Sequence, residues 1–226
     1  MNDRTELFRS GAHSATTVID GSARRVLRNT YMLLSLGLAF SAVVAATAVS
    51  LNLPGPGLII TLVGFYGLLW AINRNRDSGV GVALLLAMTG FMGYTIGPLL
   101  THTLHMANGA QTVMLALGGT AATFTALSAY ALVSKRDMSF MGGFLMVGMI
   151  VAILASLAGI FLQIPALSLA ISALVVLLMS GMILYETSNI VNGGETNYVM
   201  ATLSLFVSIF NLFTSLLQLL GFASRD

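Results

Sequence analysis

The chain has 226 residues, of which 57% are hydrophobic and only 8% are charged. Soluble domains carry about 25% charged residues, so this composition excludes a soluble globular protein and indicates an integral membrane protein. The absence of cysteine excludes disulfides, thiolate metal sites and a cysteine nucleophile, and the net charge of +2 points to no particular partner.

The first 28 residues are polar and mixed in charge, unlike the short basic start of a signal peptide. Residues 1–23 have no long apolar periodicity and are predicted to form a flexible tail. Residues 24–226 are predicted to form one membrane domain. A retained first span is favoured over a cleaved signal, because the following apolar run can cross a bilayer and further spans follow it.

Seven apolar segments are each close to the ~20 residues that a helix needs to span a bilayer. The other structure that can cross a membrane is a closed barrel, and these long unbroken runs lack the alternating short strands of a barrel. The sequence therefore predicts an all-α, polytopic seven-transmembrane helix bundle. The predicted spans are 29–51, 56–73, 79–101, 110–133, 140–162, 166–186 and 198–221.

Basic residues predict the orientation, because Lys and Arg concentrate in cytoplasmic loops. Nine of the ten lie in the tail or in the loops after spans two and four, and Arg225 lies on the opposite side. We therefore predict a cytoplasmic N-terminus and a C-terminus outside. In a second topology, spans five and six form a re-entrant pair, because Gln163 and Pro165 interrupt the end of span five. This alternative predicts a C-terminus inside.

Glu186, at the end of the sixth apolar segment, is the first candidate for chemistry. A carboxylate deep in a span is costly, so such residues tend to be functional. A buried acid can change its charge near neutral pH and act as a gate. At the membrane interface it would instead be ionised and hydrated, and its position in the sequence leaves both interpretations open.

Span seven carries small and polar side chains at intervals of four and three residues, which places them on one face of a helix. This polar stripe consists of Asn197, Ala201, Ser204, Ser208, Asn211, Ser215 and Gln218. Such a face either packs closely against other helices or lines a cation or proton path, and the sequence alone favours packing. We predict that span seven is central in the bundle. Span four is also predicted to lie inside, because it carries a weaker stripe made of Thr112, Ala116, Gly119, Thr123, Ala126 and Tyr130.

Several kinds of site are not expected. The nucleotide-binding, zinc-protease and serine-hydrolase motifs are absent, and no predicted span contains a His or Lys that could act as a base. We therefore expect no enzyme and no cofactor. His102 and His105 have no acidic or thiol ligand in the same loop, so a metal site is not expected. The tail is too sparsely basic for nucleic acid.

Several segments resemble the Bax inhibitor-1 (TMBIM) family, over nearly the whole chain from about Arg24. Leu184–Ile190 resembles the family's sixth-span motif, with Glu186 where Asp is usual, and Gly90–Leu100 resembles its third span. Ser134–Gly143 is similar to the loop before span five. A bacterial inner-membrane branch of the family is closer still, through the segments 192–198 and 220–226.

The resemblance implies a pH-sensitive calcium leak channel as one function. Its sensor would be a pair of acids in spans six and seven. Glu186 matches the first, and the second should fall at Ser208, three residues before Asn211. A lone acid lacks the like-charged partner of such a pair. The sequence therefore argues against the usual switch and leaves a path past Ser208 and Asn211 as the alternative function.

The resemblance to the bacterial branch implies a second function, which is our leading hypothesis. Members of this branch modulate FtsH, a membrane-anchored ATP-dependent protease that associates with HflK and HflC. The chain would lie in the bacterial inner membrane and restrain FtsH, as a slowly degraded substrate. The protease would engage the N-terminal tail, where Arg4, Glu6 and Arg9 are candidate contacts.

Overall fold

The computed structural model describes residues 21–223, and every regular element in that range is a helix. The all-α prediction is therefore confirmed for this range. The helices are α1 (Gly21–Ser50), α2 (Gly57–Asn75), α3 (Gly79–Thr95), α4 (Gly97–Leu104), α5 (Gly109–Ser134), α6 (Met141–Leu162), α7 (Pro165–Val191) and α8 (Tyr198–Ala223).

These helices provide seven membrane spans within the described range, because α3 and α4 together make one span from Gly79 to Leu104. The third predicted span is interrupted at Ile96, which closes α3 and directly precedes Gly97. Pro98 explains the break, since proline has no N–H to donate and its ring collides with the preceding helical turn. The sequence prediction missed this interruption and ended the span three residues early.

The central position predicted for the seventh span is confirmed. α8 packs against α1, α3, α5 and α7, whereas α2 and α6 lie at the edge, with their main contacts to α3 and α7 respectively. The small residue Gly93 allows α3 to approach α1 closely, because a Cβ at that position would overlap the carbonyl oxygen of Ser41.

The fourth span was predicted to lie inside the bundle, but only one of its faces is covered by other helices. One face of α5 packs against α4, α7 and α8, with Thr112, Ala116 and Thr120 buried. Ala126 and Tyr130, at the end of the predicted stripe, are exposed. The pattern of small residues therefore predicted the buried face correctly for the first half of α5. For the second half the prediction was wrong, because the buried residues there are Ser128 and Ala131.

The two loops that carry basic residues lie at the same end of the bundle, next to the loop between α7 and α8. The amide of Asn197, before α8, donates to the Asp77 carboxylate at 2.7 Å and to the Arg76 carbonyl. The Ser188 hydroxyl on α7 donates to the Arg136 carbonyl at 2.7 Å. This is the arrangement that seven alternating spans require.

The re-entrant alternative for spans five and six is not observed. α6 and α7 are both long and apolar enough to cross a membrane. A hairpin that entered and left on one side would also leave the direction of α8 unchanged, so that alternative would not have moved the C-terminus.

Candidate functional site between α7 and α8

Glu186 is embedded in the bundle rather than at a helix end. α7 begins at Pro165, a residue well suited to a first helical turn, and continues to Val191, five residues beyond the predicted end of the span. The chain then turns through Gly193, whose φ of 76° favours glycine. The extra turn of helix carries Glu186 away from the end, and its side chain is only 9% exposed.

The carboxyl group of Glu186 faces α8. The Ser204 hydroxyl donates a hydrogen bond to it, and the Glu195 carboxylate of the loop between α7 and α8 acts on it electrostatically. Ser208, the position where a second acid was expected, lies one turn further along α8, about 6 Å along the helix axis from Ser204. The structure therefore brings Glu186 together with Ser204.

Ser208 and Asn211 are placed along the same stripe but are not linked to Glu186. Ser208 is 3% exposed, and the Asn211 amide donates to the Val207 carbonyl of its own helix at 2.8 Å. The Asn211 amide thus bonds within α8 rather than to a neighbouring helix.

A second link between α7 and α8 lies toward the other end of the bundle. The Ser172 hydroxyl of α7 donates to the Gln218 side-chain oxygen of α8 at 2.8 Å. Ser172 and Glu186 are separated by fourteen residues, as are Ser204 and Gln218, so the helices run antiparallel with matched spacing. The polar stripe is therefore the seam along which α8 meets α7.

The residues that follow Glu186 fix the basic loop between α5 and α6. Thr187 lies 3.4 Å from the Ser128 hydroxyl of α5. Ser188 accepts a hydrogen bond from the Met138 amide at 3.1 Å, besides its donation to Arg136. Sequence reasoning missed these contacts, although hydroxyl residues directly after a buried acid were a signal that this turn is packed against polar groups.

The start of α8 is fixed by Asn197. Its side-chain oxygen accepts from the amides of Val199 and Met200, each at 3.0 Å, which is the geometry of a helix cap. The Glu195 carboxylate accepts a hydrogen bond from the backbone N–H of Asn197 at 2.7 Å. The loop that places Glu195 near Glu186 is thus held in a defined conformation.

The remaining candidate residues lie elsewhere. Arg4, Glu6 and Arg9 fall outside the described residues. His102 and His105 lie on the last turn of α4 and its cap rather than in a loop, and a ring nitrogen of His105 lies 2.8 Å from the Thr101 carbonyl. Among residues 21–223, no group of three or more His, Cys, Asp or Glu is placed to hold a metal ion.

The arrangement around Glu186 defines its chemical capability. A carboxyl group clamped against a hydroxyl of the neighbouring helix can tie α7 to α8, and it can also exchange a proton or attract a cation within the bundle. The next carboxylate, Glu195, lies in the adjoining loop rather than on α8.

Comparisons with known proteins cover nearly the whole chain. The family described as "Inhibitor of apoptosis-promoting Bax1" matches residues 23–225. The "Modulator of FtsH protease YccA" of Escherichia coli strain K12 is 52% identical over 217 residues, which cover 96% of this chain and 98% of that protein. The "Inner membrane protein YccA" of a second Escherichia coli strain is similar to the same extent. An "Uncharacterized membrane protein" of Vibrio cholerae is 41% identical over 89% of this chain and 91% of its own length.

Proposed function

This chain belongs to the Bax inhibitor-1 family, and on that basis we propose that it modulates the membrane protease FtsH. The observation that carries the proposal is the likeness to a protein named as a modulator of FtsH, which is 52% identical over 98% of that protein's length. A match that covers 96% of this chain supports the same role for it.

We further propose that the chain restrains FtsH as a slowly degraded substrate. An ATP-dependent protease engages an unfolded segment. α1 begins at Gly21 and already contains the last three residues of the predicted tail, so the segment in front of it is residues 1–20, which are polar and mixed in charge, as such a segment requires. The first helix behind the tail is α1, which packs against α3, α4, α7 and α8. A pull on the tail would therefore act on most of the bundle at once, and extraction would be slow.

The proposed orientation puts the tail and the basic loops in the cytoplasm, in the inner membrane, with the C-terminus outside. The basic loops share one end of the bundle, as the positive-inside rule requires of cytoplasmic loops. Because the chain has no cysteine, single substitutions can report the side. In intact spheroplasts, an impermeant thiol reagent should label Ala107→Cys but label Ser139→Cys only after permeabilisation. The reverse pattern would contradict this orientation.

The test of the tail compares three forms of the full-length protein in cells with active FtsH. The wild type should be degraded slowly, and deletion of residues 2–20 should prevent its degradation. A third form keeps the tail but replaces Arg4, Glu6 and Arg9 with Ala. Slower degradation of this form would assign the grip to these side chains, whereas an unchanged rate would assign it to the length of the tail. Normal degradation of the deletion form would refute the tail mechanism.

The modulation itself is tested on a second membrane substrate of FtsH. Overproduction of the wild-type chain should lengthen the half-life of that substrate, and the deletion form should do so less. The same membranes allow the proposed association with HflK and HflC to be examined by co-purification. An unchanged half-life of the second substrate would refute the modulator function, whatever the fate of the tail.

The burial of Glu186 favours a second candidate function, a calcium leak gated at this residue. Glu186 is 9% exposed within a membrane span and faces Ser204. In liposomes, the purified protein would pass calcium, and Glu186→Gln would alter the pH dependence of the flux, whereas the exposed-loop control Asp137→Asn would not. Because Ser208 stands where the second acid of the pair is expected, the calcium leak is less well supported than the modulation of FtsH. Absence of flux across the neutral pH range would reject it.

A further inference from the structure

We propose that the crevice between α1, α4 and α5 binds one acyl chain of a membrane phospholipid. The crevice has a volume of about 700 Å³, and α8 forms its back wall. It lies on the side of α8 that carries Phe206, Ile209 and Phe213, away from the polar stripe. The proposal is therefore independent of the modulator function and of the chemistry of Glu186.

The crevice exists because α1 and α5 do not pack together along their length, and three contacts enclose the gap between them. α8 packs against both helices from behind. Tyr31 of α1 meets the ring of Phe124 of α5 edge-on, with centroids 5.9 Å apart, and Phe124 also lines the crevice. α4, which begins directly after the break at Ile96, contacts both α1 and α5 and forms a further wall.

The fourth side opens sideways into the bilayer. Ala42 and Ala46 on α1, and Leu117 and Ala121 on α5, line the crevice and are exposed. The small alanine side chains leave the opening wide. These residues are continuous with the apolar outer surface of the same helices, which any membrane protein presents to lipid. The phase in contact with the opening is therefore the hydrocarbon of the bilayer.

The walls of the crevice suit hydrocarbon rather than a polar ligand. The deepest residues are apolar, with Phe206 fully buried and Ile209 only 6% exposed. Two of the four hydroxyl groups in the lining are used within their own helices. Thr120 donates to the Ala116 carbonyl at 2.7 Å, and Ser50 donates to the Thr47 carbonyl at 3.0 Å. Apolar cavities of this kind do not hold ordered water.

The size of the crevice selects among apolar occupants. A transmembrane helix is ~10 Å across and ~30 Å long, roughly three times the volume available, so a helix of a partner or of a second copy does not fit inside. A single flexible acyl chain can enter through the lateral opening while its headgroup stays at the membrane surface. Contact with the walls would replace the lipid contacts that the chain gives up.

The test uses the full-length protein in vesicles of phosphatidylethanolamine and phosphatidylglycerol. A trace of phosphatidylethanolamine carries a photoactivatable diazirine on its acyl chain, and mass spectrometry of the digested protein locates the adducts. Adducts should concentrate in the segments 42–50 and 117–125, several-fold above those on the exposed face of α6. A single phospholipid should also remain on the wild-type protein in native mass spectrometry after detergent washing.

Paired variants separate the crevice from ordinary contact with the bilayer. The double variant Ala46→Phe with Ala121→Phe fills the opening. Ala122→Phe with Ala129→Phe adds the same bulk to exposed positions of α5 outside the crevice. All four positions are exposed, so the fold should be retained. The first pair should lose most of the crevice adducts and the retained phospholipid, and the second pair should lose neither.

Three results would overturn the proposal. Adducts spread evenly over α2, α6 and the crevice would show ordinary lipid contact only. An equal loss from both pairs, or no loss from the first pair, would show that the crevice is not the site. Wild-type protein that retains no phospholipid after detergent washing would show that no acyl chain is held in the crevice.

Discussion

α6 and α8 are both apolar helices long enough to cross a membrane, and they occupy opposite environments. α6 lies at the edge, with its main contact to α7 and with large side chains such as Phe144 and Leu154 exposed. α8 packs against four helices and carries the polar stripe. Lipid tails are as apolar as a leucine side chain, so apolar residues gain little from leaving them. In this bundle, small and polar side chains mark the helix that lies inside.

The polar groups of the two helices behave differently. Ser156 of α6 donates to the Ala152 carbonyl of its own helix at 2.7 Å. In α8, Gln218 bonds to α7, Ser204 to Glu186, and Asn197 to the loop after α2. The stripe thus joins α8 to its neighbours chiefly near its ends, while small and apolar side chains fill the middle.

Phe206→Ala in α8 should destabilise the protein far more than Phe144→Ala in α6. Phe206 is fully buried and Phe144 is 75% exposed. Loss of the buried ring should lower the free energy of unfolding by about 3 kcal/mol, because a cavity remains where it was packed. Loss of the exposed ring should have little effect, and both are measured by reversible unfolding in detergent micelles. Equal losses would contradict the contrast between the two helices.

Added bulk should produce the next largest difference. Ala201 on α8 is fully buried, whereas Ala158 on α6 is exposed. Ala201→Leu should cost about 2 kcal/mol, because overpacking forces neighbouring helices apart. Ala158→Leu should be tolerated, since lipid can rearrange around it. The midpoint of thermal unfolding measures both, and a tolerated Ala201→Leu would mean that α8 is less closely packed than the structure has it.

The cap of α8 gives a smaller effect. Asn197→Ala removes the acceptor for the Val199 and Met200 amides, which should cost about 1 kcal/mol. Asn108 stands at the same position before α5 but makes no side-chain cap bond, so Asn108→Ala is the matched control. Hydrogen exchange of the first turn of each helix should rise in the first variant alone. Similar exchange in both would contradict a capping role for Asn197.

Removal of a single interhelical hydroxyl should produce the smallest change. Ser172→Ala breaks the bond to Gln218 and should cost about 0.6 kcal/mol, the average for hydrogen bonds between helices in membranes. Ser156→Ala breaks a bond within α6 and should cost less. Both values come from the same unfolding assay as for Phe206. A larger loss for Ser156 would reverse the assignment of which helix depends on polar contacts.

The sequence was sufficient to predict the seven spans and the central helix. Span length follows from bilayer thickness, and the three- and four-residue spacing of Ser204, Ser208 and Asn211 follows from helix geometry. Local signals of this kind do not depend on which helices become neighbours. The same rule was wrong for the second half of α5, where Ala126 and Tyr130 are exposed, because a weak stripe does not determine which face a neighbouring helix covers.

The contacts of the candidate site depend on how helices pair, so the sequence could not supply them. Glu186 meets Ser204 rather than Ser208 because α7 continues to Val191 and because α8 starts at a register fixed by Asn197. The break at Ile96 was signalled in the sequence by Gly97-Pro98, but the contacts that α4 makes after it were not. The crevice depends on four helices at once and left no local pattern in the sequence.

Oxygen accessibility of spin labels tests the contrast between α6 and α8 most directly. The chain has no native cysteine, so a label can be placed at one site at a time. Labels would replace Val147 and Leu154 on α6, and Asn211 and Leu212 on α8, in protein reconstituted into liposomes; the two α8 side chains are inward-facing and large enough to make room for part of the label. Molecular oxygen is concentrated in the bilayer, so we expect frequent collisions at both α6 sites and few at both α8 sites. Equal collision rates on the two helices, or higher rates on α8, would contradict a central α8 with its polar stripe turned inward.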